Sequence, residues 1–123
     1  MQNEFDKLFI NTENLFYYTS CVNEELKNEV KKYVKNILDN IYEITKNYKQ
    51  YNKEDFYNDY EKFRLNEDDK NVLLYYARRD LIYGTFMAYT SYLKDINPFL
   101  ELEGIIFAIY DICYSFDIDY KKI

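Results

Sequence analysis

The run of residues 81–93, LIYGTFMAYTSYL, contains no charged side chain, although 31% of the whole sequence is Asp, Glu, Lys or Arg. A helix that is apolar on every side is usually buried on every side, by neighbouring helices or by lipid. Asp80 and Lys94 close the run before the roughly 20 apolar residues that a bilayer requires. We therefore predict a buried central helix over about residues 67–94, opened by an N-cap at Asn66.

The rest of the chain also has helical spacing. Residues 3–19 predict one helix, or two short ones separated near Thr12 and Asn14. The next helix has Asn23 as its cap and an apolar stripe at intervals of three and four. The members of this stripe are Leu26, Val30, Val34, Ile37, Ile41, Ile44 and Tyr48. A polar break at residues 48–52 precedes a short helix over about residues 54–64, which Asn52 can cap.

The last helix is predicted to start at Asn97-Pro98, a cap followed by proline at the first helical position, and to end near Phe116. The chain contains only two Gly and one Pro, too few for the many turns of a sandwich or barrel. We therefore predict one all-α domain, a bundle of five to six helices around the central helix.

Composition also limits the function. The net charge of −6 disfavours nucleic-acid binding, which uses clustered Lys and Arg. Cys21 and Cys113 are isolated, which is typical of a reduced protein rather than a disulfide scaffold. The N-terminal residues resemble no signal peptide, and we expect a soluble, cytoplasmic protein without a membrane span.

Residues that carry chemistry are scarce. The chain has no His, the commonest general base and metal ligand, and it has no Cys-x-x-Cys and no phosphate-binding glycine loop. Glu101 and Glu103 are two residues apart and would point in different directions on a helix. We therefore expect no enzyme activity, no metal and no cofactor.

Binding to another protein is the remaining expectation. Sixteen tyrosines are more than a small core easily holds, and tyrosine is favoured at interfaces. Tyr75, Arg78 and Arg79 are candidate contact residues. Two structural alternatives stay open: the tyrosines fill the core and its rim through the composition bias of an AT-rich genome, and the arginines bridge to Asp80 or to neighbouring helices.

Gly84 interrupts the uncharged run with a residue that disfavours helix by roughly 1 kcal/mol relative to Ala. Such a glycine is explained if another helix crosses closely. We predict that Ala77, Gly84, Ala88 and Ser91 form a strip of small residues. This strip would pack against the helix that starts at Pro98 or against the stripe of residues 30–41.

Two segments together resemble the Bcl-2-like proteins. The residues from Ile82 to Tyr89 are similar to the first homology motif of that family, in which Tyr83 takes the aromatic position, Gly84 the glycine and Thr85 the position of the arginine. The third homology motif is matched by four apolar residues and one aspartate, namely Val30, Val34, Ile37, Asp39 and Ile41.

The likeness is greatest to the short, divergent Bcl-2-like proteins of poxviruses. It implies a Bcl-2-like bundle that binds host proteins, suppresses apoptosis or innate immune signalling, and in several members forms homodimers. The alternative is a bacterial or phage accessory protein that binds a toxin or a defence protein. A small enzyme or nucleotide-binding bundle that uses the two arginines is a third class. Gene neighbours would separate the first two classes.

Overall fold

The computed structural model describes residues 3–46, 52–64 and 66–123. These residues form five α-helices with short 3₁₀ turns at Glu24–Leu26 and Tyr120–Lys122. The helices are α1 (Glu4–Tyr18), α2 (Lys27–Thr45), α3 (Lys53–Phe63), α4 (Lys70–Leu93) and α5 (Phe99–Ser115). The described ranges contain no strand, so the prediction of an all-α bundle is confirmed. None of the described helices is both long enough and apolar enough to cross a membrane.

Polar side chains at the helix starts explain most of the boundaries. Asn23 and Asn52 each accept a hydrogen bond from a backbone N–H two or three residues later, as predicted. The predicted cap at Asn66 is wrong. Asp69 caps α4 instead, because its carboxylate accepts hydrogen bonds from two backbone N–H groups of the first turn.

The apolar stripe of α2 faces the core. Val30, Val34, Ile37 and Ile41 are fully buried, and α2 packs against both α1 and α5. Tyr48, the last predicted member of the stripe, and most of the predicted break at residues 48–52 lie outside the described residues. The N-terminal segment forms one helix rather than two.

The buried helix is α5. Asn97 accepts a hydrogen bond from the N–H of Phe99, the first residue of this helix. Its buried side chains lie on every side of the helix, because α2, α3 and α4 all pack against it. They are Phe99, Leu102, Ile105, Ile106, Ala108, Ile109, Tyr110, Asp111, Ile112, Cys113 and Ser115.

The prediction that the uncharged run of α4 is buried on all sides is therefore wrong. One face of α4 packs on α5 and α1, and its opposite face is exposed. The predicted strip of small residues is confirmed on the packed face: Ala77, Ala88 and Ser91 are buried there, and Gly84 lies against α5.

Candidate interaction surface

Large apolar side chains cover the exposed face of α4. They recur at spacings of three, four and seven residues, so they share one side of the helix. Each is between 36% and 70% exposed. This set, called the α4 face below, consists of Tyr75, Tyr76, Ile82, Tyr83, Phe86, Met87 and Leu93.

The α4 face is large for a small protein. If a whole exposed side chain of this kind presents roughly 200 Å², the seven exposed fractions amount to about 780 Å². The largest apolar patch of a typical monomer covers roughly 300–600 Å², and larger patches mark interaction sites. The α4 face is therefore larger than the apolar patch that a typical monomer exposes.

An apolar groove runs between α1 and α4 along one edge of the α4 face. Its larger part has a volume of about 610 Å³ and is lined by Phe9 and Ile10 of α1 and by Phe86 and Leu93 of α4, among others. A second part of about 190 Å³ continues the groove and shares Phe9 and Phe86 with the first. Apolar residues of α1 therefore continue the apolar surface beyond this edge of the α4 face.

A second groove, between α3, α4 and α5, borders the other edge and has a volume of about 710 Å³. Its lining is mixed, with Tyr83 and Met87 beside charged residues. Both glycines of the chain lie in its wall, with two arginines and three carboxylates. The charged members are Arg64, Arg79, Asp80, Glu101 and Asp111.

Asp111 is the most deeply buried charged residue of this second groove, with only 7% of its surface exposed. The Tyr60 hydroxyl donates a hydrogen bond of 2.5 Å to Oδ1 of Asp111. Burial raises the pKa of the Asp111 carboxyl to about 6, although the Tyr60 hydrogen bond lowers it, and Asp80 adds a further increase. Burial, and after it the hydrogen bond to Asp111, raises the pKa of the Tyr60 hydroxyl. Asp111 therefore links α3 to α5 through Tyr60, and burial keeps the pKa of its carboxyl above the ordinary value for Asp.

The residues predicted from the third homology motif are separated by the fold. Val30, Val34, Ile37 and Ile41 are inside the core and offer no surface to a partner. Asp39 is exposed on α2 and forms an ion pair of 2.6 Å with Lys35. The structure therefore does not join these five positions into one surface.

The residues of the first homology motif also point in different directions. Tyr83 is exposed on the α4 face, whereas Gly84 faces α5. Thr85 is buried against α1, where its hydroxyl donates to the Leu81 carbonyl and lies 3.2 Å from the Thr12 hydroxyl. The position that the family fills with arginine is thus an internal contact in this chain.

The three remaining candidates are close to the α4 face. Tyr75 belongs to it. Arg79 lies within it and forms an ion pair of 3.3 Å with Asp80. Arg78 instead reaches α1: its guanidinium lies 3.8 Å from the ring centre of Phe16 and donates a hydrogen bond to that residue's carbonyl. The structural alternative for the two arginines is therefore confirmed.

The sequence-based reasoning missed most of the surface. Ile82, Phe86, Met87 and Leu93 were assigned to the core because no charged residue marks which side of the run is exposed. The tyrosines indicate the exposed surface only in part. The described ones divide into two buried, seven half-buried and five exposed, and the exposed ones are Tyr17, Tyr75, Tyr76, Tyr83 and Tyr114.

In comparisons with known proteins, no family model, no curated protein and no solved structure matches this chain. The resemblance to Bcl-2-like proteins therefore stays a prediction. Within the described residues, no group of three or more Cys, Asp or Glu side chains is placed to hold a metal ion.

Proposed function

We propose that this protein acts by binding another protein chain through the α4 face, without catalysing a reaction. The observation that carries the proposal is the exposure of Tyr83, Phe86 and Leu93, which present 64% to 70% of their surface to solvent on one helix. Removing apolar surface from water contributes roughly 25 cal/mol per Å². Covering this face therefore supplies a large favourable free energy to an association.

The chemistry of the face also suits recognition. Tyrosine and phenylalanine lose few rotamers on binding and provide both apolar contact and, in tyrosine, a polar tip. The adjacent α1/α4 groove offers space for side chains of the partner beside Phe86. The charged residues on this side of the helix are Arg79 and Asp80, which follow Tyr76, and Lys94. Residues 81–93 between them carry no charge.

The finer roles expected from the sequence stay predictions. They are suppression of host apoptosis or innate immune signalling, as in viral Bcl-2-like proteins, or inhibition of a toxin or defence protein, as in phage and bacterial accessory proteins. Deciding between these two roles requires the identity of the bound protein. We propose the α4 face as the binding surface in either role, because this proposal is supported by the exposed apolar residues and not by the family resemblance.

Site-specific photo-cross-linking tests the proposal. A photoreactive benzoylphenylalanine is placed at Phe86, and in a control variant at Tyr17, which is 76% exposed on α1. After irradiation in the native cells, we expect a protein product cross-linked through position 86 that is absent or much weaker for position 17. The product is identified by mass spectrometry. Absence of any product specific to position 86 would refute a role for the α4 face.

A further inference from the structure

We propose that the protein bound on the α4 face is a second copy of this chain, with the two α4 helices antiparallel and crossing at Met87 and Phe86. This inference rests on the proposed function, because it names the occupant of the same surface. It depends on three features of the described residues: the spacing of charges along α4, the absence of charge between them, and the area of the face.

The charge spacing defines a register. Asp80, Met87 and Lys94 are seven residues apart, about two helical turns, so they lie in one row along α4. When two such helices are antiparallel and related by a two-fold axis at Met87, Asp80 of each copy lies opposite Lys94 of the other. Asp80 and Lys94 are both exposed, and Asp80 also forms an ion pair with Arg79 of its own helix.

Asp80 and Lys94 also distinguish an antiparallel from a parallel pair of α4 helices. A parallel two-fold arrangement would place Asp80 opposite Asp80, and Lys94 opposite Lys94. Because like charges opposed across an interface destabilise it, the antiparallel arrangement is favoured.

The part of the face between these charges suits self-association. In a two-fold dimer each residue near the axis meets its own copy, so a charge there would meet a like charge. Residues 81–93 carry none. The chain as a whole has a net charge of −6, so two copies repel one another on average. The uncharged stretch of the α4 face adds no like-charge repulsion to this.

The area of the face is also sufficient. About 780 Å² of exposed apolar side chain on each copy, taking roughly 200 Å² for a whole side chain, is close to the roughly 800 Å² per partner that stable interfaces bury. Phe86 and Met87 would then form the centre of the interface, where aromatic and methionine side chains are enriched. The paired charges at Asp80 and Lys94 would border this central part of the interface.

Sedimentation of the purified full chain over a range of concentrations tests association. We expect a reversible dimer. The Phe86→Glu variant places like charges at the centre and is expected to weaken dimerisation by at least about a hundredfold, a typical effect at the centre of an interface. The matched control Leu100→Glu changes an equally apolar residue that is 76% exposed on α5, and it leaves dimerisation unchanged. A parent chain that stays monomeric at every concentration would overturn the inference.

Charge reversal tests the register. Asp80→Lys or Lys94→Asp alone opposes like charges and is expected to weaken the dimer by about fivefold or more, whereas the double variant restores the parent affinity, because exposed pairs of this kind each have modest effects. Lys35→Asp with Asp39→Lys, an ion pair on α2, is the control for charge reversal outside the face. Equal effects of single and double α4 variants would exclude this register.

The cross-linking product at position 86 separates this inference from the proposed function. A product formed by two copies of the chain supports both. A product formed only with a different protein, together with a monomeric purified chain, overturns the second-copy inference and leaves the proposed function intact. If neither product forms, both are refuted.

Discussion

Gly84 of α4 lies directly against Ile105 of α5. A Cβ atom at position 84 would lie 2.9 Å from Cγ1 of Ile105 and 3.6 Å from the carbonyl oxygen of Glu101. The first distance is shorter than an ordinary carbon–carbon contact, and Ile105 is fully buried, so it has little room to shift. The absent side chain of Gly84 therefore sets how closely α4 and α5 approach.

Replacing each of the two glycines of the chain with alanine is expected to change the stability of the protein in opposite directions. Gly104 is also helical, but a Cβ there would meet nothing within 4 Å. Gly104→Ala is expected to stabilise the protein by up to about 1 kcal/mol through helix propensity. In Gly84→Ala the clash with Ile105 opposes this gain, and we expect a net loss of about 1 kcal/mol. Gly84→Leu is expected to lose about 1–3 kcal/mol or more.

Urea unfolding measures all three glycine variants, and Gly104→Ala is the control for helix propensity. If Gly84→Ala gained as much stability as Gly104→Ala, the α4–α5 contact at Gly84 would be looser than described.

We expect the buried carboxyl of Asp111 to make the protein less stable as pH rises. Burial raises the pKa of its carboxyl to about 6 in the folded protein, whereas an unfolded Asp titrates near 3.9. Between these values the folded state binds more protons than the unfolded state. This carboxyl therefore makes the free energy of unfolding fall as pH rises from about 4 to about 6, by at most about 3 kcal/mol.

Asp111→Asn removes this titration and retains an oxygen that can accept the Tyr60 hydrogen bond. We expect the variant to be more stable than the parent at pH 7 and about equally stable at pH 4. Other carboxyl groups titrate in both proteins, so the difference between the two urea-unfolding profiles isolates Asp111. A variant less stable than the parent at pH 7 would show that the ionised carboxylate is favourable at this site.

The sequence predicted the helices better than it predicted their burial. Caps such as Asn23 and Asn52 act within a few residues, so local spacing reveals them. Burial depends on contacts between distant residues. Asp111 is tolerated inside the bundle because Tyr60, which is 51 residues away, donates a hydrogen bond to it, and local sequence contains no sign of that partner.

The α4 face is the opposite case, in which apolar residues that were expected to be buried are exposed. Residues 81–93 are apolar on every side, so their periodicity cannot distinguish the side that contacts α5 from the side that stays exposed. Tyr75 was predicted as a contact residue from its type and is exposed, whereas Tyr83 was named only from a motif, inside a run that was expected to be buried, and is exposed as well. Val30 and Val34 were predicted as binding residues from a motif, but they fill the core, since the same spacing of apolar residues describes any core-facing helix.

We expect the two cysteines to differ in their reactivity toward alkylating reagents. Cys21 is exposed, whereas Cys113 on α5 is fully buried, and burial raises the pKa of the Cys113 thiol. Because the thiolate is the reactive form, an alkylating reagent is expected to modify one thiol in the native protein and two after unfolding in urea. Mass spectrometry of the labelled peptides identifies the site. Rapid native labelling of Cys113 would contradict the buried position of α5.

Thr85 provides a direct test of the position that matches the family arginine. Its hydroxyl donates to the Leu81 carbonyl, so the Thr12 hydroxyl, 3.2 Å away, is left as the donor of the contact between the two threonines. Thr85→Val removes that acceptor and is expected to cost about 1 kcal/mol. Thr85→Arg forces a charged group into a site that is only 3% exposed, and we expect a loss of several kcal/mol.

Thr90→Arg is the matched control, because Thr90 is half-buried on the same helix and its variant side chain can reach water. We expect it to change the free energy of unfolding by less than about 0.5 kcal/mol. Urea unfolding compares the two arginine variants. If Thr85→Arg were as stable as Thr90→Arg, an arginine at position 85 would have a path to the surface. The exposed arginine that the family has at this position would then be sterically possible in this chain.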